Sequence, residues 1–302
     1  MVSIQVEEVF TPEIIHKSPS SWSVLRRELV RDKMALVSIG FVILFLIFIY
    51  ASVLFVNQDV VTTVDLGAIR EAPGSVHWLG TDRAGRDIFG QLVIGARNSF
   101  TIGFTITLLS AAIGLTLGLL AGFYGGMVDN IIMRIIDFIL VLPFLMLVIV
   151  FVSIVPKSGI GSFIFIMTAF LWIGKARLIR AKVLSERELD YVQASKTLGT
   201  PNWKIIWFGV LPNLSSVVIV NLTLSLAGNI GIETGLSYLG FGLPESTPSL
   251  GTLVSYANDP DVLQNSWWMW LPASLLILVL MLAINFIGQA LKRATDARQR
   301  LG

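Results

Sequence analysis

Residues 34–56 form an apolar run without a single charge. A helix of that length rises about 35 Å at 1.5 Å per residue, enough to cross roughly 30 Å of hydrocarbon. Comparable runs recur at 99–122, 135–155, 160–174, 211–232 and 267–291. In lipid every backbone polar group must find its partner within the chain, and runs this long do so as helices rather than as barrel strands. The chain as a whole is 54% hydrophobic and 14% charged, against about 25% charged in soluble domains. An all-α polytopic membrane protein with six transmembrane helices follows, the fourth run borrowing flanking residues to reach full length.

The first run comes after a polar stretch containing Glu7, Glu8 and Glu13. That stretch lacks the short basic start and small-residue cleavage site of a signal peptide, so the run is read as a retained first span. The basic residues set the orientation. Those at 17–33, Arg134, Lys175, Arg177, Arg180, Lys182, Arg187, Lys196, Lys204 and the ones after 291 fall on one side; Arg70, Arg83, Arg86, Arg97 and Lys157 fall on the other. This asymmetry puts both termini in the cytoplasm. The segments are then a cytoplasmic stretch 1–33, a first span 34–56, an extracytoplasmic loop 57–98, a five-helix core 99–291 interrupted by a cytoplasmic hairpin 185–211, and a tail 292–302.

Several functions lack their residues. There is no cysteine, which removes disulfides, thiolate metal sites and cysteine nucleophiles together. His16 and His77 lie outside the runs and no GxSxG elbow is present, so an intramembrane enzyme would want nucleophile, base and metal ligand at once. The best Gly-Lys pair, Gly174-Lys175, is followed by Ala176 and has Ala169 where a phosphate-binding loop needs its first Gly. The net charge of +2 is accounted for by topology and points to no nucleic-acid partner. A stand-alone secondary transporter would need coupling carboxylates or paired broken helices near the midplane; no run carries such a carboxylate at its centre, although Pro143 can disturb the third.

In the outer stretch HWLGTDRAGRDIFGQLVIGAR, Thr81 or Asp82 can cap a turn through Gly85, after which Ile88, Leu92 and Val93 recur at helical spacing. An interfacial helix feeding the second span is expected. Gly114, Gly118 and Gly122 clear one stripe of that span for close helix packing. Arg134 and Asp137 are three apart at the start of the third run; either they line a translocation path, or Arg134 snorkels to the inner surface and pairs with Asp137. Glu233 lies where the fifth span ends, a position water can reach, and suits an interface or a gate. The Gly- and Pro-rich segment 236–266 is apolar enough to fold back on the outer mouth of the bundle, with Trp267, Trp268 and Trp270 marking the interface.

The cytoplasmic hairpin contains DYVQASKTLGTPNWKIIWFGVLP. Ser185 with Glu188 reads as a capping box starting a helix near Glu186 that runs to Leu198, where Gly199 supplies a left-handed stop. Thr200 and Pro201 start a second short helix that ends at Leu211 and Pro212. The first arm exposes Leu189, Val192 and Ser195, and the second carries Trp203, Ile206, Trp207 and Phe208, more apolar surface than a solvated loop shows. Spacing alone leaves two readings, a loop at headgroup level or an element that another protein covers.

This hairpin resembles the signature loop of the permease subunits of ABC importers, whose pattern is Glu-Ala-Ala, three residues, Gly, nine residues, Ile, one residue, Leu-Pro. The register places Gln193, Ala194, Ser195, Gly199, Leu211 and Pro212 on it, with Gln193 for Glu, Ser195 for Ala and Gly209 for Ile. LGTDRAGRD at 79–87, GAR at 95–97, MRIIDFILVLPFL at 133–145 and LSYLGFG at 236–242 are similar to the dipeptide, oligopeptide and nickel branch of that family; PSLG at 248–251 has Leu250 where the branch has Trp. The resemblance implies a type I ABC importer permease fold in the cell membrane of a prokaryote, similar to the C-type subunit of oligopeptide systems. It further implies a second, unlike permease subunit, two cytoplasmic ATPases that bind the ATP and magnesium, an extracytoplasmic receptor, and a peptide substrate, with nickel as the alternative. Leu189, Val192, Gln193, Ala194, Ser195, Leu198, Gly199, Leu211 and Pro212 become the ATPase-coupling residues, and Arg134, Asp137 and Glu233 the candidates for path or gate.

Overall fold

A computed structural model describes residues 32–155 and 159–299, with side chains through Thr295. Most of the expected segment 1–33, together with Lys157, lies outside the described residues. Among the described residues ten helices organise the fold: α1 (Lys33–Ala51), α2 (Ile88–Tyr124), α3 (Gly126–Leu140), α4 (Phe144–Ile154), α5 (Gly159–Leu171), α6 (Ile173–Glu186), α7 (Asp190–Thr197), α8 (Leu211–Tyr238), α9 (Leu250–Val254) and α10 (Leu271–Gln299). Further short helical segments join them, including Gln58–Val61, Asn202–Lys204 and Pro260–Asn265. Five stretches are long and apolar enough to cross a membrane, and α3 with α4 make a sixth if that bent pair counts as one span.

Packing fixes the directions. A Cβ added at Gly114, Gly118 or Gly122 would come within 2.7 Å of Lys175 Cβ, 2.8 Å of Ile179 Cβ and 2.7 Å of Val183 Cβ, respectively. The numbers rise together, so α2 and α6 run parallel, their backbones brought close by the missing side chains. Two parallel helices joined in sequence need a return crossing between them, which only α3 and α4 can supply. Against α2, α8 is antiparallel: Asn229 bonds Thr107 at 2.8 Å and Glu233 bonds Ser99 at 3.0 Å. Next to α8, α10 is antiparallel again, with Gly231 against Met281 and Gly288 against Leu224.

At the centre, α2 contributes to three apolar clusters. Its Phe100 joins Phe45, Ile230 and Leu280; Ile102 and Ile106 join Val148, Phe163 and Met167; Leu119 and Phe123 join Ile179, Val183 and Val192. Its 37 residues correspond to about 55 Å of continuous helix.

Three expectations change here. The interfacial helix is not a separate element: Asp87 caps Gly90 N–H at 2.7 Å and the helix runs on unbroken from Ile88. The third run is broken, α3 and α4 meeting at 83°, because Pro143 has no N–H to offer and its ring excludes a helical approach to the preceding turn. The fourth run is joined to the charged stretch up to Glu186, which carries Lys175 into the span and out of the cytoplasmic loop to which charge counting assigned it.

Candidate functional site

The hairpin 185–211 hangs from the ends of α6 and α8. Ser185 belongs to the last turn of α6 and α7 starts only at Asp190, with Leu189 as an N-cap that makes no side-chain bond. The expected capping box is therefore absent, since α6 continues through it. Gly199 does end α7, at φ 76°. Its N–H bonds the Lys196 carbonyl and the Thr200 N–H bonds the Ser195 carbonyl, both at 3.0 Å, the paired pattern that closes a helix through a left-handed glycine. After it, Pro201 rather than the Thr200 side chain stands at the N-cap of Asn202–Lys204.

The second arm does not end at Pro212. Residues Ile205–Val210 form a π-helical stretch, with Leu211 N–H reaching back to the Ile206 carbonyl, and the chain then continues as α8. The wider turn makes room for the proline ring and absorbs its missing donor. The hairpin thus feeds into the fifth span without a joint.

Burial divides the hairpin's apolar residues. Val192 and Ile206, expected at the surface, are buried among Leu119, Phe123, Ile179, Val183, Ile205, Val210 and Leu214. Removing the Val192 side chain from water stabilises the anchorage by about 1.5–3 kcal/mol. Leu189, Trp203, Trp207 and Phe208 stay exposed, and Leu198 at the tip is 85% exposed. Ser195 is half-buried and donates to the Tyr191 carbonyl at 2.8 Å, Ala194 is exposed, and Gln193 donates to the Arg187 carbonyl at 2.9 Å.

Tyr191, which sequence reasoning passed over, ties the arms together. Its hydroxyl donates to Glu186 at 2.8 Å and accepts from Asn213 at 3.0 Å. Burial, opposed by the Asn213 bond and aided by Glu186, pushes its pKa up to about 12, so it keeps its proton. A Cβ on Gly209, where the family pattern has isoleucine, would meet the Tyr191 ring at 3.4 Å, an ordinary packing contact.

The path or gate candidates are not brought together. Asp137 pairs with Arg177 of α6, and Asp129 is gripped by both ends of the Arg180 guanidinium fork. Arg134 is exposed, and among the described residues it has no carboxylate within 4.0 Å; the expected pair with Asp137 is replaced because α6 presents a guanidinium to α3.

Glu233 is fully buried, not solvated. Its carboxylate accepts from Ser99 at 3.0 Å, Ser237 at 3.0 Å and Ser249 at 2.8 Å. Ser99 accepts in turn from the Leu250 N–H at 2.9 Å, and Asn98 donates to the Pro248 carbonyl at 2.8 Å. The segment 248–251 therefore turns inward and closes over the end of α8, and Gly251 fits because a Cβ there would lie 2.9 Å from Glu233 Oε1.

A second outer knot lies beside this clasp. Asp82 Oδ2 accepts from Arg86 Nε at 2.7 Å, Gln91 at 2.9 Å and Tyr256 at 3.0 Å, while Oδ1 takes the N–H groups of Ala84 and Arg86. Burial alone would raise the Asp82 pKa, but the bonds from Arg86, Gln91 and Ala84 and the Arg86 charge together hold it below the ordinary value. The Arg86 pKa is raised against its own burial by Tyr256 and Asp82, and burial with the nearby Asp82 charge raises that of Tyr256. The one sequence signal for this knot was Asp82 as a turn cap; its partner Tyr256 lies 174 residues along the chain.

Residues 114–301 match the family described as binding-protein-dependent transport system inner membrane component. The chain is 47% identical over 276 residues to the oligopeptide transport system permease protein OppC of Lactococcus lactis subsp. cremoris, covering 91% of this chain and 94% of that protein. It is 35% identical over 276 residues to the dipeptide transport system permease protein DppC of Bacillus subtilis, covering 91% and 85%. To OppC of Bacillus subtilis it is 35% identical over 288 residues, covering 95% and 93%. A multi-pass helical bundle with a jointed third span and a structured hairpin between its fourth and fifth spans, matched over most of its length, belongs to the family of binding-protein-dependent transport system inner membrane components.

Proposed function

We propose that the chain is one of two unlike permease subunits of an ATP-driven peptide importer and couples to a cytoplasmic ATPase through the 185–211 hairpin. The observation that carries this reading is the hairpin's construction. Val192 and Ile206 anchor it in the bundle while Leu189, Leu198 and Trp203 point outward from a rigid frame. A loop resting at the headgroups has no need of a buried anchor and a glycine-closed helix; an element that receives force does.

ATP and magnesium belong to two partner ATPases, and the chain itself holds no cofactor. An extracytoplasmic receptor delivers the peptide, and closure of the ATPases on ATP moves the hairpins so that the bundle alternates its access. The names of the relatives favour peptide over nickel.

The absence of native cysteine gives a direct test. A single Cys at Thr200, with the chain co-expressed with ATPases of its own system, is expected to cross-link to an ATPase in a way that changes with ATP. Labelling from the cytoplasm without any ATPase contact would overturn the coupling role.

A further inference from the structure

Within the fourth span, α5 ends at Leu171 and α6 begins at Ile173, with Trp172 between them. Trp172 keeps helical backbone angles, φ -76° and ψ -24°, so the span runs on through this turn, where lipid cannot satisfy carbonyl groups that lose their regular partner. Two side chains take them: Trp172 Nε1 donates to the Ala169 carbonyl at 2.8 Å, and Lys175 Nζ donates to the Leu171 carbonyl at 3.2 Å. Lys175 also donates to Ser110 Oγ of α2, at 2.9 Å.

That lysine is buried, and among the described residues no carboxylate lies within 4.0 Å of it. Lysines near a membrane surface extend their amines toward it. Lys175 does the opposite: its chain runs toward the N-terminal end of its helix, away from the cytoplasmic end that carries Arg180 and Arg187, and meets Ser110 at the middle of the run 99–122. A charged group so deep, on neutral acceptors only, is costly unless it serves a purpose. Its position beside Gly114, where the two backbones are in contact, links this turn of the fourth span to the helix that carries Ser99 of the Glu233 clasp.

We infer that Lys175 is a positioning residue of transport, pinning the fourth span to α2 so that displacement of the hairpin moves α6 and α2 as one body. This rests on the coupling role proposed for the hairpin. Below the pin, α6 leads through Glu186 to the hairpin; above it, α2 leads to the outer clasp. Without the pin, α6 shifts against α2 and the displacement is lost at their seam.

The test uses the complete transporter, with its partner subunits and receptor, in proteoliposomes, reading peptide uptake and ATP hydrolysis together. Lys175→Met keeps the stem and removes the donors; Ser110→Ala removes only the acceptor on α2. Uptake per ATP hydrolysed is expected to fall by about fivefold to thirtyfold in Lys175→Met, less in Ser110→Ala. The double variant is expected to be no worse than Lys175→Met alone, since both changes break one bond. A merely structural lysine would lower assembly, uptake and hydrolysis in parallel and leave their ratio unchanged, and an unchanged ratio overturns the inference. Should Lys175→Met fail to assemble, Ser110→Ala decides, a wild-type ratio again overturning it. A wild-type complex with no ATP-driven uptake would instead sink the proposed function and not the pin.

Discussion

Glu233 shows how far a single side chain's role depends on what folds over it. Three hydroxyl donors from three segments converge on it without a cation. Glu233→Ala leaves those hydroxyls to share a void and is expected to destabilise the bundle by about 3–5 kcal/mol, whereas Glu233→Gln retains one acceptor oxygen and costs about 1–3 kcal/mol. Thermal unfolding in detergent ranks the two, and equal melting temperatures for Ala and wild type would refute the clasp. Asp82 makes a pH prediction. Its pKa in the fold lies below the ordinary value, so its stabilising contribution is complete above the unfolded carboxylate's pKa of about 3.9 and is lost as pH falls through the lower folded value. Protease resistance of the outer loops is expected to be flat between about pH 5 and 8 and to fall only below about pH 4. A transition near pH 6 would refute the Asp82 assignment. Asp82's cap on the turn through Gly85 was legible in the sequence, but not its bonds to Gln91 and Tyr256, nor the clasp on Glu233. Glu233 stood at the end of an apolar run, where solvation was the natural reading, and the residues that seal it, Ser99 and Ser249, approach only after the 236–266 segment folds inward.

Elements were legible where one residue type carries one physical constraint. Gly114, Gly118 and Gly122 cleared a helix stripe, and a parallel helix fills it. Gly199 was read as a left-handed stop, and it has φ 76°. Gly118→Leu is expected to force α2 from α6, at a cost of about 1–3 kcal/mol or more from overpacking, visible as reduced yield of folded protein; a normal yield would contradict the close approach. Gly199→Ala keeps the contacts but places a Cβ in left-handed backbone, at a cost of about 1–2 kcal/mol. Elements became illegible where local signals compete with tertiary context. Ser185 and Glu188 satisfy a capping pattern, yet α6 runs through Ser185 because Ile179 and Val183 are held on α2 and Val192. Pro212 looked like a terminator, yet a π-helical stretch before it lets the helix continue. Both errors shortened elements, since sequence patterns mark possible ends and packing decides which are used.

At the scale of the whole molecule, α2 is the member that every other layer meets: the hairpin core at Leu119 and Phe123, α6 at the glycine seam, α8 at Thr107 and Ser99, and the outer knot through Gln91. Hydropathy supplied the number of spans, but the shape of the third came only from the structure, where an 11-residue α4 rises about 17 Å and cannot cross by itself. The parallel pairing of α2 with α6 requires that α3 and α4 together carry the chain back across. This can be checked with single cysteines in the cysteine-free chain. Met127→Cys, at the start of α3 and 78% exposed, is expected to react with an impermeant thiol reagent only from the cytoplasm. Ile160→Cys, at the start of α5, is expected to react only from the opposite side. Reaction of both from one side would make the bent pair a re-entrant loop; the fourth span would then run the other way, and the glycine seam could not be a parallel contact within one subunit. The same experiment reports the orientation of the hairpin, because α5 and α6 must deliver residue 187 to whichever face Ile160 does not occupy.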